Sequence, residues 1–286
     1  MAKILIIGSG VVGHATGMGF QAHGLDVTFV DTCSDRLQVL RAAGHRAHHP
    51  NDMTMTDTDF VMISVSAPTT ETGIDLSSLI KACESVGAKI HEATRPLTVV
   101  VRCTIPPGTM KSTLIPALEF ASGRKAGVDF GVAYNPEYLR AHLATEDFSA
   151  PRVITLGLLG DDADTEKRLR ALFERFSAPI YVISNEEAEL QKYASNLFNA
   201  AKISFFNELR VLAEALGIDP ETAFEITALS AEGMWNSLYG TRNLGPYGGV
   251  CLPKDTNAWL KFVAEAGHDS PLIAAVRQTN HSLGGN

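Results

Sequence analysis

No stretch of this sequence is apolar for long enough to cross a membrane. The run Ile4–Ile7 behind Lys3 resembles the start of a secretory leader, but Gly8-Ser9-Gly10 interrupts it at once. Cysteine is sparse: Cys33, Cys83, Cys103 and Cys251 are widely spaced and form no C-x-x-C pair. Neither a disulfide framework nor a zinc site is suggested, and a reducing, cytoplasmic setting is expected. Runs of Lys and Arg are also missing. With 24 basic against 32 acidic residues the formal charge is −8, which argues against a nucleic-acid partner. Any anionic ligand must therefore be held by local positive groups. His48-His49 has no third ligand at metal-binding spacing, so the pair reads as surface loop and no metal is expected. Repeats and low-complexity tracts are absent.

What is present is an ordinary globular composition, 45% hydrophobic and 20% charged, over 286 residues, enough for one large or two modest domains. The first half alternates short apolar runs with helical stretches. Candidate strands are Lys3–Gly8, Asp26–Asp31, Phe60–Val65, Leu97–Val101, Gly127–Tyr134 and Arg152–Leu156. Candidate helices are Val12–Gly24, Ser34–Ala43, Leu76–Ala93, Thr109–Ala121 and Asp164–Phe176. Such alternation predicts an α/β fold, a Rossmann-like doubly wound parallel sheet. From Asn185 to Leu216 there is neither proline nor glycine, and apolar residues recur at helical spacing. This predicts one long helix stopped by Gly217, then a helix from Asp219-Pro220, a loop from Asn236 to Gly249, and helices Pro253–Ala266 and Pro271–Leu283. An all-helical domain over residues 185–286 is thus expected to follow a dinucleotide-binding domain over 1–184.

Gly8-Ser9-Gly10-Val11-Val12-Gly13 is a G-x-G-x-x-G between a strand and a helix. The first glycine permits the turn, the second admits a pyrophosphate, and the third lets helix and strand pack closely. The helix N-terminus then offers free N–H groups to the phosphates. Asp31 closes the second strand 18 residues after Gly13, where a carboxylate takes a ribose 2′-hydroxyl and disfavours a 2′-phosphate. NAD is therefore expected, held by Gly8, Gly10, Val11, Val12, Gly13 and Asp31. Arg36 belongs to the same site and leaves some NADP use open. The alternative role for Asp31 is capping the helix near Ser34.

Cys251 sits in Gly248-Gly249-Val250-Cys251-Leu252-Pro253-Lys254-Asp255. Pro253 suits the first position of a helix, which would put Cys251 just before a helix N-terminus, with Lys254 nearby. Both features favour a thiolate; the alternative is a structural loop thiol. Cys103, ending an apolar strand, reads as packing near the site, and Cys33 and Cys83 as structural. Lys192 and Asn196 form K-x-x-x-N on one helix face and could hold an oxyanion or a hydroxyl, or else form a solvated face. Glu137, in Asn135-Pro136-Glu137 after a strand, could serve as general base for water, or be a surface turn residue.

Together these residues resemble the UDP-glucose/GDP-mannose dehydrogenase family. The resemblance runs nearly end to end. It rests on Gly8–Gly13, Thr104-Ile105-Pro106-Pro107-Gly108-Thr109, Asn135-Pro136-Glu137-Tyr138-Leu139, Lys192-Tyr193-Ala194-Ser195-Asn196 and Gly248–Asp255, in that order. It implies oxidation of a primary alcohol on a nucleotide sugar, UDP-glucose-like, to the carboxylate with two NAD reduced. Cys251 would be the nucleophile, passing through a thiohemiacetal and a thioester. Glu137 would activate the hydrolytic water and Lys192 stabilise the oxyanion. Asn196 and Thr104 would hold substrate and water, and Asp255 would assist the first proton removal. Tyr138, Leu139, Gly248 and Lys254 join Lys192 and Asn196 as expected substrate contacts. The resemblance also implies a homodimer through the long helix. The family's third, C-terminal domain has no counterpart in this sequence, so either a truncated chain or a short relative is expected. Ala141 and His142 stand where the family often has Glu-Gly, and Val250 where serine is common. Two other readings compete: a two-electron dehydrogenase of the 3-hydroxyacid type, which does not need Cys251, and a non-catalytic NAD-binding protein.

Overall fold

The structure, a computed structural model, describes residues 1–71, 73–242 and 245–285. It divides into two compact units, Met1–Ser195 and Asn196–Asn286. The division falls inside the long helix rather than at its start near Asn185, because the first turns of that helix are buried on the first unit through Ala188, Glu189 and Lys192.

In chain order the first unit contains β1 (Lys3–Ile7), α1 (Val11–Ala22), β2 (Asp26–Val30), α2 (Ser34–Ala42), β3 (Arg46–His48) and β4 (Phe60–Ile63). A short hairpin of β5 (Thr69–Thr70) and β6 (Gly73–Ile74) precedes α3 (Ser77–Gly87) and β7 (Thr98–Val101). Next come α4 (Ile115–Ser122), β8 (Gly131–Tyr134), α5 (Ala144–Ser149), β9 (Ile154–Leu158), α6 (Ala163–Phe173) and β10 (Ile180–Ser184). The 31-residue α7 (Asn185–Ala215) leads into the second unit, which holds α8 (Glu221–Ser230), α9 (Glu232–Trp235), α10 (Cys251–Glu265) and α11 (Pro271–Ser282).

Eight strands form one sheet in the order β10-β9-β8-β7-β4-β1-β2-β3. β4, β7 and β8 are buried along their whole length, as strands covered on both faces should be. Alternate residues supply two cores. Leu5, Ile7, Val61, Ile63, Val99 and Val101 pack with Leu79, Val86 and Leu118 from α3 and α4. Ile4, Ile6, Met62 and Val100 face the other way, onto Phe20 of α1 and Leu169 and Phe173 of α6.

The sheet departs from the expected parallel order at β9, which pairs antiparallel with β8, while β10 runs parallel to β9. A parallel β9 would need a crossover helix to carry the chain back along the sheet. Between β8 and β9 lie only a 3-10 turn, Ala141–Leu143, and the six-residue α5, which packs on α1, its Phe148 ring meeting Phe20 edge-on at 5.1 Å. The chain therefore enters β9 from the carboxyl end of β8. Two sheet strands lie outside the expected set. β3 is a polar edge strand, and β10 carries an apolar run, Ile180–Ile183, that held the signal for it.

Candidate active site

The carboxyl ends of β1, β2, β4, β7 and β8 open into one cleft of ≈ 1040 Å³. It is lined by Gly8, Gly10, Val11, Val12, Asp31 and Arg36 on one side and by Arg102, Cys103, Thr104 and Glu137 on the other. This is the crevice where open α/β sheets bind ligands.

The glycine loop has the geometry a dinucleotide requires. Gly8 has φ +85°, a conformation that a side chain would strain. A Cβ on Gly13 would lie 1.9 Å from the Gly8 carbonyl oxygen, so helix and loop can meet only with glycine there. A Cβ on Gly10 would meet no protein atom within 4 Å; this position borders the cleft and leaves its space to a ligand. α1 begins at Val11 with its first N–H groups uncapped by any side chain. These residues fit a bound NAD.

Asp31 stands at the edge of the cleft. One carboxylate oxygen accepts from Ser9 N–H at 2.7 Å and Ser9 Oγ at 2.6 Å; the other accepts from Cys33 N–H at 2.9 Å. Burial pushes its pKa up, but these hydrogen bonds, with Arg36 nearby, outweigh it and hold the carboxyl below its ordinary value. Asp31 thus braces the glycine loop and the residue before α2, rather than an N–H of α2's first turn, and keeps lone pairs for a ribose hydroxyl.

Glu137 follows β8. Its Oε1 lies 3.1 Å from Lys192 Nζ and its Oε2 accepts from Leu139 N–H at 2.8 Å. Lys192 also donates to the Glu137 carbonyl, and its ammonium lies 5.5 Å from the centroid of the Tyr138 ring. The side chains of Lys192 and Glu137 are only 5% and 15% exposed, so each charge depends on the other. The Tyr138 hydroxyl is engaged with Thr155 and Gln191, and Leu139 packs against the α1–α6 core.

Three groups here lay outside the expected set. Arg102 is buried, with its guanidinium bonded to the Asn135 side chain and lying 5.2 Å from the centroid of the Phe148 ring. Burial lowers its pKa to about 10. Glu189 is fully buried and accepts the backbone N–H groups of Gly108 and of Met110, the latter at 2.7 Å. It caps the helical segment after Thr104–Gly108 from a distant element; its spacing of three from Lys192, on the same face of α7, was the available signal. Thr155 contacts both residues that flank Pro136-Glu137.

The cysteines separate by environment. Burial pushes the Cys103 thiol well above the ordinary range, although the residue borders the cleft, and raises Cys83 to about 12. Cys33 is not an enclosed structural thiol; it is exposed at the N-terminal end of α2. His48 and His49 do not form a surface loop. His48 ends β3, and His49 borders the cleft, its Nδ1 accepting from Asn51 N–H at 3.3 Å. Among the described residues no group of three potential ligands could hold a metal.

Cys251, Asn196, Gly248, Lys254 and Asp255 belong to the second unit. Cys251 is exposed and is itself the first residue of α10, which starts two residues before Pro253. Lys254 pairs with Asp255. At the far end of the unit, Glu208 of α7 accepts from Ser270 Oγ at 2.6 Å and Leu272 N–H at 2.7 Å, capping α11 much as Glu189 caps its own target. Positions 243 and 244 of the expected 236–249 loop lie outside the described residues.

Known proteins resemble the chain over nearly its whole length. Residues 45–177 match the NAD binding domain of the UDP-glucose/GDP-mannose dehydrogenase family, and 186–282 match its central domain. A GDP-mannose 6-dehydrogenase of Pseudomonas putida is 33% identical over 98% of this chain and 68% of its own length. A UDP-glucose 6-dehydrogenase of Haloferax volcanii is 31% identical over 97% of this chain and 69% of its own length. A ternary complex of GDP-mannose dehydrogenase from Pseudomonas aeruginosa superposes with a TM-score of 0.90 at 31% identity, covering 99% of this chain and 69% of that one.

Proposed function

Because the chain belongs to the UDP-glucose/GDP-mannose dehydrogenase family and is an NAD-dependent oxidoreductase acting on CH–OH, we propose that it oxidises the primary alcohol of a nucleotide sugar to the carboxylate through Cys251. The observation that carries this reading is the shielded Lys192–Glu137 pair, whose Glu137 lines the same cleft as the glycine loop. A base and a cation beside a dinucleotide site suit an oxidation that ends in hydrolysis.

Gly8–Gly13 and Asp31 would hold NAD, which would supply the hydride acceptor, a fresh NAD for each of the two oxidations. Asp255 assists removal of the hydroxyl proton as the alcohol becomes an aldehyde. The Cys251 sulfur then bonds to the aldehyde carbon, giving a tetrahedral thiohemiacetal whose oxygen carries a proton. Loss of that proton and of a second hydride leaves a thioester. Water, deprotonated by Glu137, attacks the thioester carbon; the C–S bond breaks, and the departing thiolate takes the proton of the new carboxylic acid, leaving thiol and carboxylate. Lys192 stabilises the oxyanion at this stage, and Asn196 and Thr104 hold substrate and water. Tyr138, Leu139, Gly248 and Lys254 complete the substrate contacts.

The chain acts as a homodimer through α7. Support comes from the apolar side chains that α7 and α8 leave exposed in the second unit: Leu197, Phe198, Ile203, Val211, Ile226 and Leu229.

The chemistry is tested by intact-mass spectrometry of the enzyme with NAD and GDP-mannose or UDP-glucose. Glu137→Gln should accumulate a covalent adduct on Cys251, which Cys251→Ser abolishes. A Glu137→Gln enzyme that turns over at the wild-type rate without an adduct would contradict the roles given to both residues.

A further inference from the structure

The residues on either side of Pro136-Glu137 are tied to the same residue of β9. Asn135 Nδ2 donates to the Thr155 carbonyl at 2.7 Å, and the Tyr138 hydroxyl lies 2.9 Å from Thr155 Oγ1. The Tyr138 hydroxyl also donates to the Gln191 side chain. Gln191 directly precedes Lys192 on α7. A single phenol oxygen therefore joins three elements: the turn bearing Glu137, the strand β9, and the helix bearing Lys192. The ring of the same residue lies 5.5 Å from the Lys192 ammonium. Thr155 is buried, so water competes poorly for these bonds. The antiparallel entry of β9 brings Thr155 to this end of β8, where Tyr134 pairs with Gly157.

We propose that Tyr138 is a positioning residue for hydrolysis: its hydroxyl, shared by Thr155 and Gln191, sets the distance between Glu137 and Lys192. This rests on the reading that Glu137 and Lys192 serve the hydrolytic step. Phenylalanine in place of Tyr138 keeps the ring against Lys192 and removes only the tie. Loss of one well-placed hydrogen bond corresponds to about tenfold in a rate that depends on it.

The test uses Tyr138→Phe, Thr155→Val, their double variant and Thr155→Ser, with NAD and GDP-mannose or UDP-glucose in single-turnover mode. The expected result is a hydrolysis phase slowed about tenfold in Thr155→Val and at least as much in Tyr138→Phe, with thioester accumulating on Cys251. The NAD dissociation constant should be unchanged, and the first NADH phase should slow less than hydrolysis. The double variant should be no slower than Tyr138→Phe alone, because that substitution already removes the bond to Thr155 along with the one to Gln191, and Thr155→Ser should restore the wild-type rate. Hydrogen exchange of the segment 134–140 in unliganded protein should rise in Tyr138→Phe and Thr155→Val alike, which reads the tie without any substrate. Wild-type hydrolysis in Tyr138→Phe, or an equal loss in both phases, would overturn the proposal. Glu137→Gln, run alongside, separates the two ideas. If it stalls hydrolysis while Tyr138→Phe does not, only the positioning role falls; if it leaves hydrolysis intact, the reading beneath it falls as well.

Discussion

Lys192 of α7 and Glu137 after β8 lie 55 residues apart in sequence, yet their charged atoms stand 3.1 Å apart on side chains largely shielded from solvent. Removing one member of a shielded pair leaves the other uncompensated. Lys192→Met or Glu137→Gln alone should therefore destabilise the first unit by about 3–5 kcal/mol. The double variant should recover a large part of that loss. Urea unfolding checks this; strictly additive losses would contradict the coupling.

Gly10 and Gly13 make opposite predictions. A methyl group at Gly13 meets the Gly8 carbonyl, so Gly13→Ala should lower the unfolding midpoint and cost about 1–3 kcal/mol. At Gly10 it meets no protein atom, so Gly10→Ala should fold with an unchanged midpoint and lose NAD affinity by an order of magnitude or more, because it fills space meant for the pyrophosphate. Thermal unfolding and NADH fluorescence titration read the two effects separately. Unaltered affinity in Gly10→Ala would move the cofactor away from this loop.

Glu189 gives a pH dependence of defined sign. Burial raises its pKa, and the N–H groups of Met110 and Gly108 pull the other way without cancelling it. The folded protein thus binds this proton more tightly than the unfolded chain. Its contribution is complete below the ordinary glutamate value, about 4.3, and is lost as pH rises through the raised folded value. In Glu189→Gln the fall in stability over that interval should be shallower than in wild type; an identical slope would contradict the assignment. Glu189→Ala leaves two N–H groups without their acceptor and should cost about 2–4 kcal/mol at neutral pH.

The exposed apolar side chains of α7 and α8 predict a dimer by sedimentation equilibrium. Phe198→Glu with Ile203→Glu should shift it toward monomer, while a wild-type monomer at micromolar concentration would remove the support for α7 as an interface.

Features set by neighbouring residues were legible in the sequence. The glycine loop, the strand before it and the helix after it follow from steric rules within one short segment, and so does the long helix from Asn185. The direction of β9 was not, because it depends on how far α5 carries the chain, and apolar content alone does not encode that. Glu189 and Thr155 escaped for a related reason: each is an ordinary residue locally and gains its role from partners far away in sequence. The start of α10 shifted because Pro253 is compatible with the first turn as well as with its first residue, so proline alone did not fix where the helix begins.

Four-electron oxidation through Cys251 is tested most directly by the NADH released per alcohol consumed, with wild type and Cys251→Ser side by side on GDP-mannose and UDP-glucose. The wild type should give two NADH and a carboxylate, with the variant halted at or before the second oxidation. One NADH and an aldehyde or ketone, with Cys251→Ser indistinguishable from wild type, would contradict it and favour two-electron chemistry of the 3-hydroxyacid type.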